Sequence, residues 1–229
     1  MDSREPPEGR LLLRIDPGVT CAEDIAVDDA LLAQGRLAVR VAVLSDHAVS
    51  IGVGGGPSAG FLDTVRAESL PIVRRSTGGT GVLHAPGDLA WTLVLPRDHP
   101  WVGRDFVTAY DRFGSGVAQF LSDRGVATRW APPPALSEDY CLLSGRGRVL
   151  WARDRVLGGA AQHLGRNALL HHGILTARID RERAARLTGL AQPAIDPPLT
   201  SLAELGIAEP ARELAVGLAE ALVRSLGRR

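Results

Sequence analysis

Residues 74–84 read RRSTGGTGVLH: two arginines run into a Gly-Gly pair, and a third glycine and a histidine follow. The apolar PIV of 71–73 precedes this stretch, and LAWTLVL of 89–95 comes soon after it. Both flanks read as strands, so the segment between them is one where the backbone must be permissive. It is not a phosphate loop of the Gly-x4-Gly-Lys-Ser/Thr type, because it has no lysine and no helix follows. It is not a dinucleotide fingerprint either. Glycines between two strands instead let the backbone pass close to a ligand with its N–H groups turned toward it. Arg74 or Arg75 can add charge or a hydrogen-bond fork. A glycine-rich hairpin with surface arginines is the plainer alternative, and composition leaves both open.

Working outward, LLLRID (11–16) reads as a short strand and PGVTCAEDIAVDDALLAQG (17–35) as a helix. Ile25, Ala26, Leu31 and Leu32 fall near helical spacing, with Thr20 as cap and Gly35 as stop. LAVRVAVL (37–44) and AVSIGVG (48–54) are strands joined by a turn at Ser45-Asp46. GGGPSAG (54–60) is a loop, and LDTVRAESL (62–70) a short helix. PIVRRS and LAWTLVLP are strands on either side of the glycines. FVTAYDRFGSGVAQFLSDRG (106–125) reads as one amphipathic helix, with Phe106, Tyr110, Phe113, Val117, Phe120 and Leu121 along one side. VATRW (126–130) is a strand and APPPALSE a loop. YCLLSG (140–145), RVLWARDRVLGGAAQ (148–162) and ALLHHGILTARID (168–180) read as three strands. RERAARLTGL (181–190) is helical and AQPAIDPPLT (191–200) a Pro-rich connector. SLAELGI (201–207) and PARELAVGLAEALVRSLG (210–227) are helices, the latter with Pro210 at its favoured place near the start. Runs of strands broken by helices, without strict βαβ alternation, predict an α+β domain with mixed or antiparallel sheets.

The 229 residues suit one large domain, or one domain with a small appendage. Twenty-six basic side chains balance 26 acidic ones, so no charge bias points to nucleic acid or a membrane surface. No apolar run nears the roughly 20 residues of a membrane span. The charged, Pro-rich MDSREPPEGR lacks the apolar centre of a signal peptide, and a cytoplasmic location is the expectation. Cys21 and Cys141 are then expected to be free thiols. Every basic residue of the 26 is arginine. Lysine and asparagine have A/T-rich codons, and there is a single Asn, so base composition accounts for scarcity. It accounts less well for a total absence of lysine wherever the chemistry needs an amine.

At RRSTGGTGVLH the sequence resembles the biotin/lipoate ligase and lipoate/octanoyl transferase superfamily, in which an Arg-Arg-x-Thr/Ser-Gly-Gly-x-x-Val-x-His segment walls the acyl-chain site. Here it stands as Arg74, Arg75, Ser76, Thr77, Gly78, Gly79, Val82 and His84. AVDDALL (26–32) looks like the family's early helix and AVSIGVG like its strand before the ligand loop. DRVLGGAAQ (154–162) looks like its Gly-Arg-Lys-x-x-Gly-Ser-Ala-Gln segment, and ALLHHGILTARID like its His-Gly-Ser-Ile-Leu segment. Most of 10–190 is covered. The resemblance implies the family's α+β catalytic domain over 1–190, with 191–229 a helical extension packed on it. It implies a ligand site that also includes Arg155, Gly158, Gly159, Ala160, Ala161, His172 and Gly173.

There are departures. The family's lysine, which binds the acyl carbonyl or acyl-phosphate oxygen, falls at Val156, with Arg155 beside it. A fixed cation there would stabilise developing negative charge. The family's serines fall at Ala160 and at Ile174. One feature matches a single branch: cysteine-dependent octanoyltransferases of the ligase-like type carry a nucleophile at or beside Cys141. The plain alternative is a small buried apolar side chain, since alternation along a strand would put Cys141 on a face with Leu143. His84 matches the family histidine that lines the site, or caps a strand. His171 and His172, adjacent on a strand, face opposite sides, so one of them can line a pocket. A His-His pair without further ligands is weak evidence for a metal, and none is expected. His163 is placed near Gln162 as an acceptor for Cys141 by proximity alone. Trp91 and Trp151 pack in a sheet or line an acyl pocket. Asp28 and Asp29 are expected on the helix surface.

Three functions follow from the resemblance. The first is an acyltransferase moving an octanoyl or lipoyl group through Cys141 to the lysine of a lipoyl domain or a glycine-cleavage carrier protein, with acyl carrier protein as a candidate donor and no cofactor. The second is an ATP- and Mg-dependent lipoate–protein ligase, in which Arg153 or Arg155 stands in for the lysine with a different geometry. The third is a non-catalytic ligand- or partner-binding homologue that has lost the lysine.

Overall fold

The computed structural model describes residues 11–102, 106–191 and 198–227. Strand β1 (Leu12–Val19) leads through helix α1 (Cys21–Gln34) into β2 (Ala38–Leu44), which pairs with β1 in parallel. The helix starts and stops where its sequence says. Thr20 forms a capping box with Glu23, and Gly35 closes the helix in the left-handed conformation. A second fastening comes from the turn at 45–46, where the Asp46 carboxylate accepts from the Cys21 N–H at 2.8 Å.

Beyond that turn the chain leaves the first sheet. Strands β3 (Ala48–Val53), β4 (Ile72–Gly78) and β5 (Gly81–His84) form a small sheet in the order β4-β3-β5. Helix α2 (Ala59–Ala67) covers it with Phe61 and Val65. The chain then returns to the large sheet with β6 (Leu89–Pro96). Helices α3 (Phe106–Phe113) and α4 (Ser115–Ser122) follow, then β7 (Thr128–Ala131), β8 (Val149–Ala152), β9 (Arg155–Leu164) and β10 (Ala168–Leu175). The seven-stranded order is β1-β2-β6-β10-β9-β8-β7, antiparallel from β2 onward. Every residue of β2 is buried, and so are Leu89–Leu95 of β6, as expected of central strands covered on both faces. Helix α5 (Arg181–Thr188) lies against α2 with Leu187, and α6 (Ala211–Leu226) ends the described chain.

The main core lies on one face of the large sheet. There Val39, Val41, Trp91 and Leu93 meet Phe113, Val117, Phe120 and Leu121, and α6 adds Leu214, Ala215, Leu218 and Leu222. The other face carries α1 and the small sheet, and the space between these layers is the cavity described below. The expected α+β class with mixed sheets and flanking helices is the architecture found.

Several local expectations are corrected. The helix expected over 106–125 is two helices. At Gly114 the Trp130 indole occupies the space a side chain would need, with its Nε1 2.0 Å from where a Cβ would stand. The side chain of Phe106, assigned to that helix's apolar face, lies outside the described residues. YCLLSG is not a strand: Cys141–Leu143 form a 3₁₀ turn. RVLWARDRVLGGAAQ is a hairpin, β8 and β9, turning at Arg153 and Asp154 with φ of 47° and 58°. SLAELGI forms hydrogen-bonded turns, with Leu205 N–H donating to Ser201 O and Gly206 N–H to Ala203 O. The glycine-rich stretch contains a strand of its own, β5. Most of the Pro-rich connector, 192–197, lies outside the described residues.

Candidate active site

Strand β4 alternates its side chains. Arg75 and Thr77 are buried on the side facing the large sheet, while Arg74 is exposed and Ser76 half-buried. Arg75 Nη1 donates to Ser50 O and Oγ at 2.9 and 3.0 Å. Its Nη2 donates to Gly78 O and Thr80 O at 2.9 and 3.1 Å. The same nitrogen lies 3.5 Å from the Cys141 sulfur, and the Thr80 hydroxyl is 3.4 Å from that sulfur.

Gly79 makes this approach possible. Its φ is +103°, and a Cβ built on it would stand 2.7 Å from Arg75 Nη2 and 2.8 Å from Cys141 Sγ. Only a residue without a side chain lets the turn lie against both groups. Cys141 is held from the other side too. The preceding Asp139 accepts from the Ser58 N–H and hydroxyl at 2.6 and 2.8 Å, tying the 3₁₀ turn to the start of α2.

These groups line a cavity of about 500 Å³, within the range of small-molecule sites. Of the residues expected at a site, Arg75, Gly78, Gly79, His84, Cys141, Gly159, Ala160, Ala161, His172 and Gly173 share it. Ile25, Val82, Ala90, Leu142, Val149 and Ile174 give it apolar wall. Thr77 is buried and off the lining, with its hydroxyl 2.8 Å from His172 Nε2. Arg74, Ser76, Gly158 and His163 are not on the lining. Arg155 lies away from it, paired with Glu204 at 3.6 Å. Val156, the position aligned with the family lysine, is buried among Tyr140, Leu142 and Leu199. Arg146 and Arg148 stand at the cavity rim; Arg148 donates to Trp130 O at 2.9 Å.

The histidines divide as alternation requires. His171 is fully buried on the opposite face, against Trp91, Tyr110 and Phe113, and burial holds its pKa well below the usual value. His84 is buried with Nε2 2.8 Å from the Ser50 hydroxyl. Burial, then the nearby Arg75 and His172, bring its pKa down to about 3, so its ring is neutral. Of the thiols, Cys21 is pushed up to about 12 by burial and by Asp24 and Asp46, and stays protonated. Cys141 is the one on the cavity.

Sequence reading missed a buried ionic row beneath α1. Arg40, Thr92, His172 and Ala161 are direct partners across β2, β6, β10 and β9. Asp24 and Asp28 of α1 lie over this row, contrary to the surface position expected for Asp28. Arg40 donates to Asp16, Asp24 and Asp28 at 2.7, 2.5 and 3.2 Å. Asp28 also accepts from the Thr92 hydroxyl at 2.7 Å and from His172 Nδ1 at 2.8 Å. Burial, then the neighbouring Asp28 charge, raises the Asp24 pKa against the pull of Arg40.

The sequence pattern of the lipoyl protein ligase A/B catalytic domain matches residues 20–211. The chain belongs to this family. It is 27% identical over 176 residues to octanoyltransferase LipM of Exiguobacterium sp., covering 70% of this chain and 63% of that protein. To the LipM octanoyltransferase of Staphylococcus aureus it is 29% identical over 128 residues, 52% of this chain and 46% of that one. It therefore spans less than two thirds of the length of these curated relatives. Among solved structures, lipoate-protein ligase A bound with ATP superposes with a TM-score of 0.74 at 21% identity, covering 96% of this chain and 86% of that one. The putative lipoate protein ligase Ta0514 of T. acidophilum, with bound lipoic acid, gives 0.72 at 21% identity over the same shares. These likenesses establish the fold. No helix among the described residues is long and apolar enough to cross a membrane.

Proposed function

We propose that the chain is an octanoyltransferase that carries its acyl group on Cys141. The observation that carries this reading is the Cys141 sulfur on the wall of a largely apolar cavity, 3.5 Å from the buried Arg75 guanidinium. A thiol held against a fixed cation is arranged to act as a nucleophile. In the first half-reaction the sulfur attacks the carbonyl carbon of an acyl thioester. The new C–S bond forms, the donor's C–S bond breaks, and the donor thiol leaves with its electron pair and a proton. In the second, a lysine amine of a lipoyl domain displaces Cys141 and an amide results. Lipoyl groups are the alternative cargo. Acyl carrier protein is the donor we infer, and a glycine-cleavage carrier protein a further acceptor of the same class. The relatives called octanoyltransferases support this reading.

An ATP-dependent ligase is disfavoured by the residues present. Adenylation needs a cation on the acyl-phosphate oxygens, yet Val156 is buried under Tyr140 and Leu142, and Arg155 faces Glu204. Arg75 already donates to three backbone carbonyls. The position aligned with the family lysine thus offers no cation to an acyl phosphate.

Intact-mass analysis of a lipoyl domain tests the proposal. The domain is offered an octanoyl-carrier thioester in one tube and lipoic acid with ATP in another, each with wild type and Cys141→Ala. An octanoyl gain lost in Cys141→Ala supports the transferase. An ATP-dependent lipoyl gain that survives the substitution makes Cys141 a packing residue. No gain in either tube, from a protein that still melts cooperatively, points to a binding homologue.

A further inference from the structure

The second half-reaction needs a base. A lysine ε-amine is protonated near neutral pH and must shed two protons to become an amide. The chain has no lysine of its own to take one. Among the cavity histidines, His84 is a poor acceptor: burial and the nearby Arg75 hold its pKa at about 3, and no carboxylate among the described residues faces its ring. His171 is on the far face and His163 is off the lining. Asp24 is engaged by Arg40, and Glu138 is 85% exposed at the rim.

His172 remains, and its surroundings are built. Its Nδ1 faces the Asp28 carboxylate at 2.8 Å; the oxygen accepts, which selects the tautomer whose neutral ring has Nδ1 protonated and Nε2 free to accept. Asp28 is fixed in turn by the Arg40 guanidinium and the Thr92 hydroxyl. The Thr77 hydroxyl is 2.8 Å from Nε2, and in that tautomer it is the donor. Arg75 and Thr77 are buried side chains two residues apart on β4. The first holds the Cys141 sulfur and the second holds His172. Cys141 and His172 line the same cavity, where an acyl group on the sulfur and the nitrogen attacking it would both lie.

Resting on the transferase reading, we propose that His172, oriented by Asp28, is the general base for transfer of the acyl group from Cys141 to the acceptor lysine. The ammonium gives its first proton to solvent on entering the cavity. As the C–N bond forms, the second proton passes to His172 Nε2, and the Thr77 hydroxyl swings aside by rotation about one bond. The C–S bond breaks, its electron pair goes to the sulfur beside Arg75, and the imidazolium returns its proton to the thiolate. Asp28 touches no reacting atom; it is a positioning residue that fixes the tautomer and meets the charge on the ring.

Single-turnover measurements separate the steps. Wild type, His172→Gln and Asp28→Asn are first loaded with octanoyl from a thioester. Each is then mixed with a lipoyl domain, or with hydroxylamine, a weakly basic nucleophile whose nitrogen, once bonded to the acyl carbon, gives its proton to water without a catalytic base. Transfer is timed only on enzyme already acylated, so a change in the loading rate does not enter the comparison. Transfer to the lysine is expected to slow by about 10²-fold or more, and transfer to hydroxylamine by only a few-fold. Transfer to lysine at the wild-type rate in His172→Gln overturns the proposal. So does an equal slowing for both nucleophiles, which marks a structural role. If Asp28→Asn does not fold, His172→Gln alone decides. If wild type itself does not load, the transferase reading fails first and takes this one with it.

Discussion

The Arg75 guanidinium lies 3.5 Å from the Cys141 sulfur while it donates to the carbonyls of Ser50, Gly78 and Thr80. The cation is fixed by backbone, and the sulfur is brought to it. Sixty-six residues separate the two in sequence. Arg75→Lys keeps the charge and loses the planar fork that reaches several acceptors at once. The expected result is a folded protein whose Cys141 is acylated at least about tenfold more slowly, a loss of about 1.4 kcal/mol in the barrier. Loading at the wild-type rate would remove Arg75 from the account.

Gly79→Ala tests the turn. A side chain at φ +103° costs on the order of 1–3 kcal/mol, and the added carbon also collides with Arg75 and Cys141. Thermal melts are expected to shift down by several degrees. Acyl transfer is expected to fall by more than the stability loss accounts for at the assay temperature. Unchanged kinetics at full occupancy of the folded state would show that the close approach is not needed.

Val156→Lys restores the residue type of the family at the aligned position. Val156 is 1% exposed. Burying an ammonium there without a partner costs roughly 3–5 kcal/mol, which for a chain of this size is about 10 °C in melting temperature. No ATP-dependent lipoylation is expected to appear. A stable variant that gains that activity would show the pocket to be a ligase site lacking one residue.

His84 gives a pH signature. Its folded pKa, about 3, lies below the ordinary value of 6.5, because burial disfavours its charged form. Between those values the unfolded chain binds a proton that the native ring refuses. Stability from this group is therefore present above pH 6.5 and lost as pH falls toward 3, by about 1.4 kcal/mol per pH unit. Asp88 acts in the opposite sense: burial lifts its pKa to about 7, so it lowers stability as pH rises from about 4. Comparing wild type with His84→Gln isolates one group. Denaturant melts at pH 7 and pH 5 should show the wild type losing more stability than the variant. Parallel losses would contradict the neutral buried ring.

What could be read from the sequence was local. Thr20 and Gly35 bound α1 through contacts within a few residues, and the apolar runs of β2 and β6 announce strands covered on both faces. The glycine-rich motif and Cys141 came from the resemblance. The unread part depends on distant partners. Asp28 resembles a surface charge on a helix, and its burial follows from Arg40, Thr92 and His172, the last 144 residues away. YCLLSG is short and apolar, a pattern strands and turns share; its 3₁₀ form goes with the tie from Asp139 to Ser58, 81 residues back. The β8–β9 turn carries no Gly or Asn, so Arg153 and Asp154 gave no signal. The break at Gly114 follows from the Trp130 ring seated against it.

The most direct test of the account is the mass of the enzyme itself after incubation with an octanoyl thioester and no acceptor. The prediction is one octanoyl group per chain, located by peptide mapping on Cys141, released by a lipoyl domain and absent in Cys141→Ala. An unmodified wild type that nonetheless acylates a lipoyl domain, or a label found on Cys21, would contradict it.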